Sequence, residues 1–200
     1  GTNRVSNPGD RKIIGNSAAR YIYGINLNAD WNGFFFSTFF QGVGKQDWYP
    51  STESEIFWGQ YNRPYNDIPK WHVGNMWTPE NTNAYFPRTM SRAASSNTNR
   101  TLGIAQTRYL QNVAFIRMKN LQIGYNLPKK WISKVKANNV KIYFSGENLW
   151  TYSPLYKLTT GIDVENTGPS DQVFNPGGNS GDGYNYPMLK SFSFGLNITF

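Results

Sequence analysis

The side chains that could carry out acid–base or nucleophilic chemistry are few in this chain. His72 is the single histidine among 200 residues, and there is no cysteine. A nucleophile activated by a neighbouring base therefore lacks its usual parts. Since a lone histidine inside an aromatic segment is more often structural than catalytic, we predict that the chain is not an enzyme.

Four acidic side chains near the C-terminal end could supply oxygen ligands for calcium, because glycine and asparagine residues surround them. They are Asp163, Glu165, Asp171 and Asp182. Their spacing matches no EF-hand loop, and acidic side chains solvated in a loop explain the pattern better. We therefore predict no cofactor, with Ca²⁺ in the loop 151–188 as the alternative.

The residues best suited to bind a ligand are aromatic and lie between positions 44 and 112. Indole and phenol rings have flat apolar faces with polar edges, which suit stacking on sugars or packing against a partner protein. The candidates for such contacts are Trp48, Tyr49, Trp58, Trp71 and Trp77. Alternatively, Trp58, Trp71 and Trp77 form an internal core, which a long ordered loop needs.

The last eleven residues predict a strand with two unlike faces. Side chains alternate across a strand. One face here carries Phe192, Phe194, Leu196, Ile198 and Phe200. The other face is small and polar, and the alternation continues for about ten residues, the length of a tilted strand that crosses a bilayer. A terminal amphipathic strand ending in Phe is typical of the C-terminal signal of outer-membrane β-barrels.

Four earlier segments alternate in the same way, so the fold class is all-β. The predicted strands are 19–31, 34–43, 113–127, 140–150 and 190–200. Asn32-Gly33 between the first two is the strongest short-range signal of a tight hairpin. The segments 44–112 and 151–188 break the rhythm and are predicted to be long loops. Together these features indicate about five antiparallel strands of a larger transmembrane β-barrel.

Loop lengths predict the orientation in the membrane. Short turns alternate with long loops along the chain, and outer-membrane barrels have short periplasmic turns and long external loops. Counting back from Phe200 places every short turn, and the C-terminus, in the periplasm. Five strands leave open edges, which lipid does not tolerate, so the remaining strands are expected outside this chain. The first residues lack the apolar stretch of a signal peptide, so an export signal is expected elsewhere too.

The alternation also assigns side chains to the inside of the barrel and to the membrane. The predicted lumen-facing residues are Gln41, Lys141 and Glu147. The predicted anchors at the membrane interface are Tyr21, Trp31 and Trp150. Phe35 and Phe39 break this pattern, because they fall on the polar face. The alternation also places Arg117 and Lys119 on the apolar face of their strand. Either these long side chains snorkel to the membrane interface, or a β-bulge reverses the alternation and returns them to the polar face.

Composition excludes several classes of protein. Aromatic residues make up 16% of the chain, which does not fit a disordered segment, and no apolar run approaches the 18 residues of a transmembrane helix. The net charge is +8, but lysine and arginine are scattered rather than gathered on one face. We therefore expect no nucleic-acid partner.

Motifs along nearly the whole chain resemble those of SusC/RagA-type TonB-dependent transporters. They are Gly9-Asp-Arg-Lys-Ile-Ile-Gly-Asn16, Phe39-Phe-Gln-Gly-Val-Gly-Lys45, Asp47-Trp-Tyr-Pro50, Trp77-Thr-Pro-Glu-Asn-Thr-Asn-Ala-Tyr-Phe-Pro-Arg88, Thr107-Arg-Tyr-Leu-Gln-Asn112, Arg117-Met-Lys-Asn-Leu121, Ile142-Tyr-Phe-Ser-Gly-Glu-Asn-Leu-Trp150 and Ser193-Phe-Gly-Leu-Asn-Ile-Thr-Phe200. The resemblance implies the C-terminal part of a barrel of about 22 strands in the outer membrane of Bacteroidota.

The resemblance further implies an energised importer of glycans, or of peptides in RagA-like members. The plug domain and the segment that contacts TonB would lie outside this chain. A SusD-like surface lipoprotein would cover the barrel as a lid, which makes the loop aromatic residues candidates for lid contact. Two alternatives are a secreted carbohydrate-binding β-sandwich, with shorter strands and two buried sheet faces, and a structural outer-membrane barrel without transport.

Overall fold

A computed structural model describes residues 6–7, 9–95, 101–135, 137–167 and 186–200. The strands in these ranges are β1 (Arg20–Trp31), β2 (Phe34–Lys45), β3 (Asp47–Trp48), β4 (Gln111–Asn112), β5 (Phe115–Asn126), β6 (Asn139–Tyr152) and β7 (Ser191–Thr199). The helices are α1 (Glu55–Trp58), α2 (Arg92–Ser95) and α3 (Lys129–Ile132). Within these ranges, no helix has the length and apolar character needed to cross a membrane.

The chain divides into two compact units. The sheet unit comprises Ala19–Lys45, Ala114–Lys157 and Tyr186–Phe200. The loop unit comprises the described residues within Gly1–Ala18, Gln46–Val113 and Leu158–Asn185. Val113, which the alternation assigns to a strand, belongs to the loop unit, where its N–H donates to the carbonyl oxygen of Gln46.

The sheet unit is built on one antiparallel sheet of five strands in the order β1-β2-β5-β6-β7. The predicted all-β class and the five-stranded antiparallel sheet are therefore confirmed. Asn32 and Gly33 connect β1 to β2 with φ values of +48° and +87°, as a two-residue hairpin turn with two left-handed positions requires. Trp31 lies directly opposite Phe34, as the hairpin predicts.

The strand register gives the sheet an apolar face. The large apolar side chains that the register places on this face are Ile25, Leu27, Phe34, Phe36, Leu121, Ile123, Tyr125, Ile142, Phe144, Phe192, Phe194, Leu196 and Ile198. Most of these side chains are exposed, and Phe194 exposes 86% of its surface. The described part of the sheet unit therefore does not cover its own apolar face.

Glycine makes room for the two phenylalanine side chains that interrupt the opposite, polar face. A Cβ atom added to Gly124 would lie 2.4 Å from the ring of Phe35, and one added to Gly24 would lie 3.0 Å from the ring of Phe39. A strand glycine commonly marks such a close approach. Lys141 places its Nζ atom 3.7 Å from the centre of the Phe35 ring. The aromatic residues are thus accommodated on the polar face instead of displacing the register.

A β-bulge in β5 removes the conflict at Arg117. Relative to β2, the pairing of β5 shifts between Met118 and Asn120, so Lys119 is the extra residue. This shift returns Arg117 to the polar face, opposite Gln41 and Thr151. There its Nε donates to the hydroxyl of Thr151 over 2.8 Å. Of the two alternatives for this position, the bulge is the one that the structure contains.

The loop unit has little regular structure and is held by short elements. β3 pairs with β4, and α1 continues into a 3-10 turn over Gly59–Tyr61. Further 3-10 turns span Lys70–His72 and Val164–Asn166. A predicted long loop is therefore an ordered region in its described part, with a core of its own.

Candidate ligand-binding site in the loop unit

The core of the loop unit is a cluster of aromatic rings centred on Phe86. Phe86 is 1% exposed, and its ring centre lies 4.1 to 6.3 Å from those of its aromatic neighbours. The neighbours are Phe57, Trp58, Tyr61, Trp71, His72, Tyr85 and Tyr109. Most of the pairs are tilted or edge-to-face, which the quadrupoles of the rings favour.

His72 is a structural member of this cluster. The imidazole is fully buried, and its Nε2 donates to the carbonyl oxygen of Phe57 over 2.8 Å. Its Nδ1 has no hydrogen-bond partner within the described ranges. Burial disfavours the charged form and lowers the pKa of His72 to about 4, although the bond to Phe57 opposes this shift. The side chain is therefore neutral at pH 7 and faces no solvent-filled site.

Three of the five predicted aromatic contacts are engaged inside the loop unit. Trp48 and Trp58 are 2% and 1% exposed, and the indole N–H of Trp58 donates to the carbonyl oxygen of Ser51 over 2.8 Å. The hydroxyl of Tyr49 donates to the carbonyl oxygen of Leu102, and burial raises the pKa of Tyr49. Trp48 and Trp58 present no ring to a ligand, because both are buried, whereas Tyr49 is half-buried. For Trp58, the internal core that was the alternative fits the structure.

Trp77 and Trp71 are both partly exposed on the surface of the loop unit. Trp77 is 38% exposed. Trp71 is half-buried and packs one edge against Phe57 and Phe86, with ring centres 5.3 and 5.2 Å apart. Trp71 lines a cavity of the loop unit. Contact of Trp71 or Trp77 with a substrate or a lid stays a prediction.

The cavity beside Trp71 has a volume of about 360 Å³ and is mostly apolar. Its other lining residues are Glu55, Ile56, Asp67, Pro69, Thr159 and Gly161. Gly59 allows the segment around Pro69, which lines this cavity, to approach the backbone at position 59 closely. The φ of Gly59 is +53°, and an added Cβ would lie 2.4 Å from Pro69 and 3.0 Å from the carbonyl oxygen of Asp67. The backbone at 67–71 can therefore fold tightly over α1 only because position 59 has no side chain.

The lining residues combine three kinds of chemistry. Trp71, Ile56 and Pro69 offer apolar surface, Thr159 a hydroxyl, and Glu55 and Asp67 two exposed carboxylates. Such a cavity can cover an apolar body and accept hydrogen bonds from donors attached to it. Sequence reasoning missed both carboxylates and Thr159. Residues 55 and 159 are distant in the sequence, and no spacing pattern indicates that the chain brings them to one cavity.

The acidic residues proposed as calcium ligands have a local explanation where they are described. The buried carboxylate of Asp163 accepts the backbone N–H of Glu165 over 3.1 Å and so caps a 3-10 turn. Within the described residues, no group of three or more His, Cys, Asp or Glu side chains could hold a metal ion. Asp171 and Asp182 lie outside the described residues, so the calcium alternative stays a prediction.

The structure places the remaining predicted site residues on the two faces of the sheet. Gln41, Lys141 and Glu147 share the polar face, where Glu147 accepts the hydroxyl proton of Ser191 over 3.0 Å. Tyr21, Trp31 and Trp150 lie on the apolar side and are exposed. Phe200 follows β7 and is also exposed. Their roles in a lumen or at a membrane interface stay predictions.

Comparison with known proteins gives related sequences that extend well beyond this chain. No protein-family model matches it. TonB-dependent receptor P3 of Formosa agariphila is 30% identical over 192 residues, which are 96% of this chain and 17% of the receptor. TonB-dependent receptor P26 of the same organism is 27% identical over 195 residues, which are 96% of this chain and 18% of the receptor.

Solved structures show the same fold. The RagAB peptide importer in its open-open state matches all of this chain and 19% of its own chain, with a TM-score of 0.60 and 18% identity. The closed-closed state gives the same values. The chain thus spans less than a fifth of the length of these relatives.

The sequence similarity and the shared fold identify the chain as a segment of a TonB-dependent receptor, with the fold of RagA, the SusC-like type. The predicted resemblance is therefore confirmed. The relatives are receptors and importers rather than enzymes, which confirms the prediction that the chain is not an enzyme.

Proposed function

We propose that the receptor containing this segment imports a glycan or a peptide across the outer membrane, with energy supplied through TonB and a SusD-like surface lipoprotein as its lid. The observation that carries the proposal is the similarity to TonB-dependent receptors over 96% of the chain. The exposed apolar face of the sheet supports it, because lipid can cover what water would not tolerate.

In this proposal the sheet unit is part of the barrel wall. The apolar face contacts lipid, with Tyr21, Trp31 and Trp150 as anchors at the two interfaces. Gln41, Lys141 and Glu147 line the lumen, and the C-terminus faces the periplasm. The two outer strands β1 and β7 pair with strands from the rest of the receptor, because an unpaired edge in lipid leaves backbone groups without hydrogen bonds.

The loop unit would lie on the outer side and contribute to the capture of the ligand. Of the five candidates, Tyr49, Trp71 and Trp77 keep exposed surface for substrate or lid contact, since Trp48 and Trp58 are buried. Tyr65, Ile68 and Val73 are exposed large apolar side chains in the same stretch, as expected of a surface that a partner covers.

The experiment that tests this proposal is uptake by cells that carry the full-length receptor, its lipoprotein partner and TonB. Labelled oligosaccharides and oligopeptides are offered to cells with and without the receptor, and with TonB inactivated. We expect cells to accumulate either the oligosaccharides or the oligopeptides, and this accumulation to be lost without the receptor and without active TonB. A lipoprotein should also co-purify with the receptor. Accumulation that persists without the receptor would refute transport, and binding without accumulation would favour a non-transporting barrel.

The carbohydrate-binding β-sandwich is not favoured by the structure. A sandwich packs two sheets face to face and buries both inner faces. The described strands form one sheet of five and one of two strands, and the larger sheet exposes its apolar face.

A further inference from the structure

We propose that the basic turn between β5 and β6 binds the phosphate of an anionic phospholipid headgroup at the edge of the membrane. The basic turn consists of α3 and the 3-10 turn Ser133–Val135, both in the sheet unit. This inference rests on the proposed function, because it takes the apolar face of the sheet to contact lipid. Three exposed lysines and an exposed tryptophan carry it: Lys129, Lys130, Lys134 and Trp131.

Ile132 fixes the basic turn to the apolar side of the sheet. Its side chain is 4% exposed and packs in a small core with Leu127 and Val140. These two residues lie opposite each other, since the N–H of Leu127 donates to the carbonyl oxygen of Val140 over 2.9 Å. They are two positions beyond the pair Tyr125 and Ile142 on the apolar face, so their side chains lie on that same face. The basic turn therefore covers the end of the apolar face.

The helical geometry of the basic turn directs its polar side chains away from this small core. Lys130 and Lys134 are four residues apart and lie on one side of a helical turn, whereas Ile132 between them lies on the other side. Because Ile132 packs against the sheet, both lysines project away from it. Trp131 also lies outside the core and is 63% exposed. Tryptophan is enriched at the interface between lipid and water, where its ring meets the headgroups.

The charge of the basic turn is not neutralised within the described part of the chain. None of its three lysines forms an ion pair there. The sequence contains no aspartate or glutamate between Glu80 and Glu147. Asp30, at the same end of the sheet, pairs with Phe35 and lies on the polar face. An anion that approaches the turn from the lipid side therefore meets positive charge without a competing acidic side chain among the described residues.

A phospholipid satisfies the surroundings of the basic turn better than a free anion does. Lysine binds phosphate as a compact point charge, and the negative surface of a membrane attracts basic segments beside it. The acyl chains of the same molecule can cover the exposed side chains of Trp131 and Ile142, which a free anion leaves in water. We expect selectivity for a headgroup of net negative charge, because the cation of a zwitterionic headgroup competes with the lysines for the phosphate.

The test uses the full-length receptor in liposomes, with a bimane fluorophore at Ser133→Cys as its single cysteine. Ser133 is exposed and lies within the basic turn. The liposomes are phosphatidylcholine with a small fraction of spin-labelled phosphatidylglycerol or, in a matched sample, of spin-labelled phosphatidylcholine. Both labels are at the headgroup end of the acyl chain. We expect phosphatidylglycerol to quench the fluorophore as if it were enriched about fivefold at the turn, the preference that three exposed ion pairs give together.

The variant that tests the site replaces all three lysines of the basic turn: Lys129→Gln, Lys130→Gln and Lys134→Gln. The enrichment should then disappear, and because the three side chains are exposed, the fold does not depend on their burial. The matched control replaces three exposed lysines at the opposite end of the sheet unit: Lys45→Gln, Lys157→Gln and Lys190→Gln. It lowers the net charge by the same amount and should keep the enrichment.

Equal quenching by the two lipids, an enrichment that survives in the triple variant, or one that the control also removes would each overturn the site. Quenching by neither lipid would place the turn in water, open to an acidic protein instead. Added inorganic phosphate should not displace the lipid, and displacement would make the turn a site for free anions. If TonB-dependent uptake is present and the lipid preference is absent, only this inference fails. If the preference is present and uptake is absent, only the proposed function fails.

Discussion

The two units of this chain place the same residue types in opposite environments. In the loop unit, Phe86 and Trp58 are each 1% exposed, inside a core of aromatic rings. In the sheet unit, Phe194 and Trp31 are fully on the surface of the described residues, with 86% and 77% exposed. The loop unit thus buries its central rings within itself, whereas the described part of the sheet unit leaves its apolar face uncovered. Aromatic content alone therefore does not distinguish a buried core from an exposed apolar face; the spacing along the chain does.

The largest effect is expected from removing the centre of the loop core. Phe86→Ala deletes a ring that touches the rings around it, and should destabilise the loop unit by about 3–5 kcal/mol. Hydrogen exchange of the full-length receptor should show faster exchange in 46–113 and unchanged exchange in the strands. Phe194→Ala is the control, because its ring lies outside any core of the described residues, and it should leave the exchange of 46–113 unchanged.

Lower pH should also affect the stability of the two units differently. The folded pKa of His72, about 4, lies below its ordinary value of about 6.5, so the unfolded loop unit binds more protons between these values. The contribution of His72 to the free energy of unfolding of the loop unit is therefore complete above pH 6.5. As the pH falls towards 4, this free energy decreases progressively by on the order of 2–3 kcal/mol.

The check is the pH dependence of hydrogen exchange in 46–113, corrected for intrinsic rates. His72→Gln has no group at this position that titrates in this range. The loop unit of this variant should therefore lose much less stability between pH 6.5 and 4 than that of the natural chain. A profile identical to that of the natural chain would contradict the structural role assigned to His72.

A smaller effect is expected from filling the space between Gly124 and the ring of Phe35 on the polar face of the sheet. In Gly124→Ala the added Cβ would meet the ring of Phe35 and the backbone oxygen of Ile142, both at 2.4 Å. Because the backbone of β6 cannot yield as a flexible side chain can, we expect a loss of about 1–3 kcal/mol. The measurement is the denaturant midpoint of the refolded receptor, with Gly161→Ala as control, since its added Cβ meets only Thr159, at 3.4 Å.

The smallest effect is expected from the cation above the same ring. Lys141→Gln removes the ammonium that lies 3.7 Å from the centre of Phe35 and should cost about 0.5–1 kcal/mol. The double variant with Phe35→Leu measures the coupling, which should be of that size. A coupling of zero would show that the two side chains are only neighbours.

The sheet could be predicted from the sequence because its rules are local. Alternation of Phe192, Phe194 and Leu196 with small residues indicates a strand and its faces, and Asn32-Gly33 indicates a hairpin, since each depends on neighbours in the chain. The bulge at Lys119 was one of two alternatives, because the sequence shows the conflict at Arg117 but not how the partner strand resolves it.

The loop unit could not be predicted to the same depth, because its contacts join distant segments. The sequence indicates that Trp58 and Trp71 are suited to a core or a ligand, but their exposure depends on where Phe86 and Tyr109 fold. The cavity depends on Gly59 and on a segment 100 residues further along, at 159–161. No periodic pattern connects such positions.

The most direct test of the central contrast is solvent accessibility at single spin labels in the full-length receptor reconstituted into liposomes. This chain has no cysteine, so labels can be placed at Phe194→Cys, Ser193→Cys and Val73→Cys without removing any residue of that type from it. We predict that the label at 194 collides mainly with oxygen dissolved in lipid, and that the label at 73 collides mainly with a water-soluble nickel complex. The label at 193 should not show lipid exposure. A label at 194 that is open to water, or one at 73 that lies in lipid, would contradict the assignment of the sheet to the membrane and the loop unit to water.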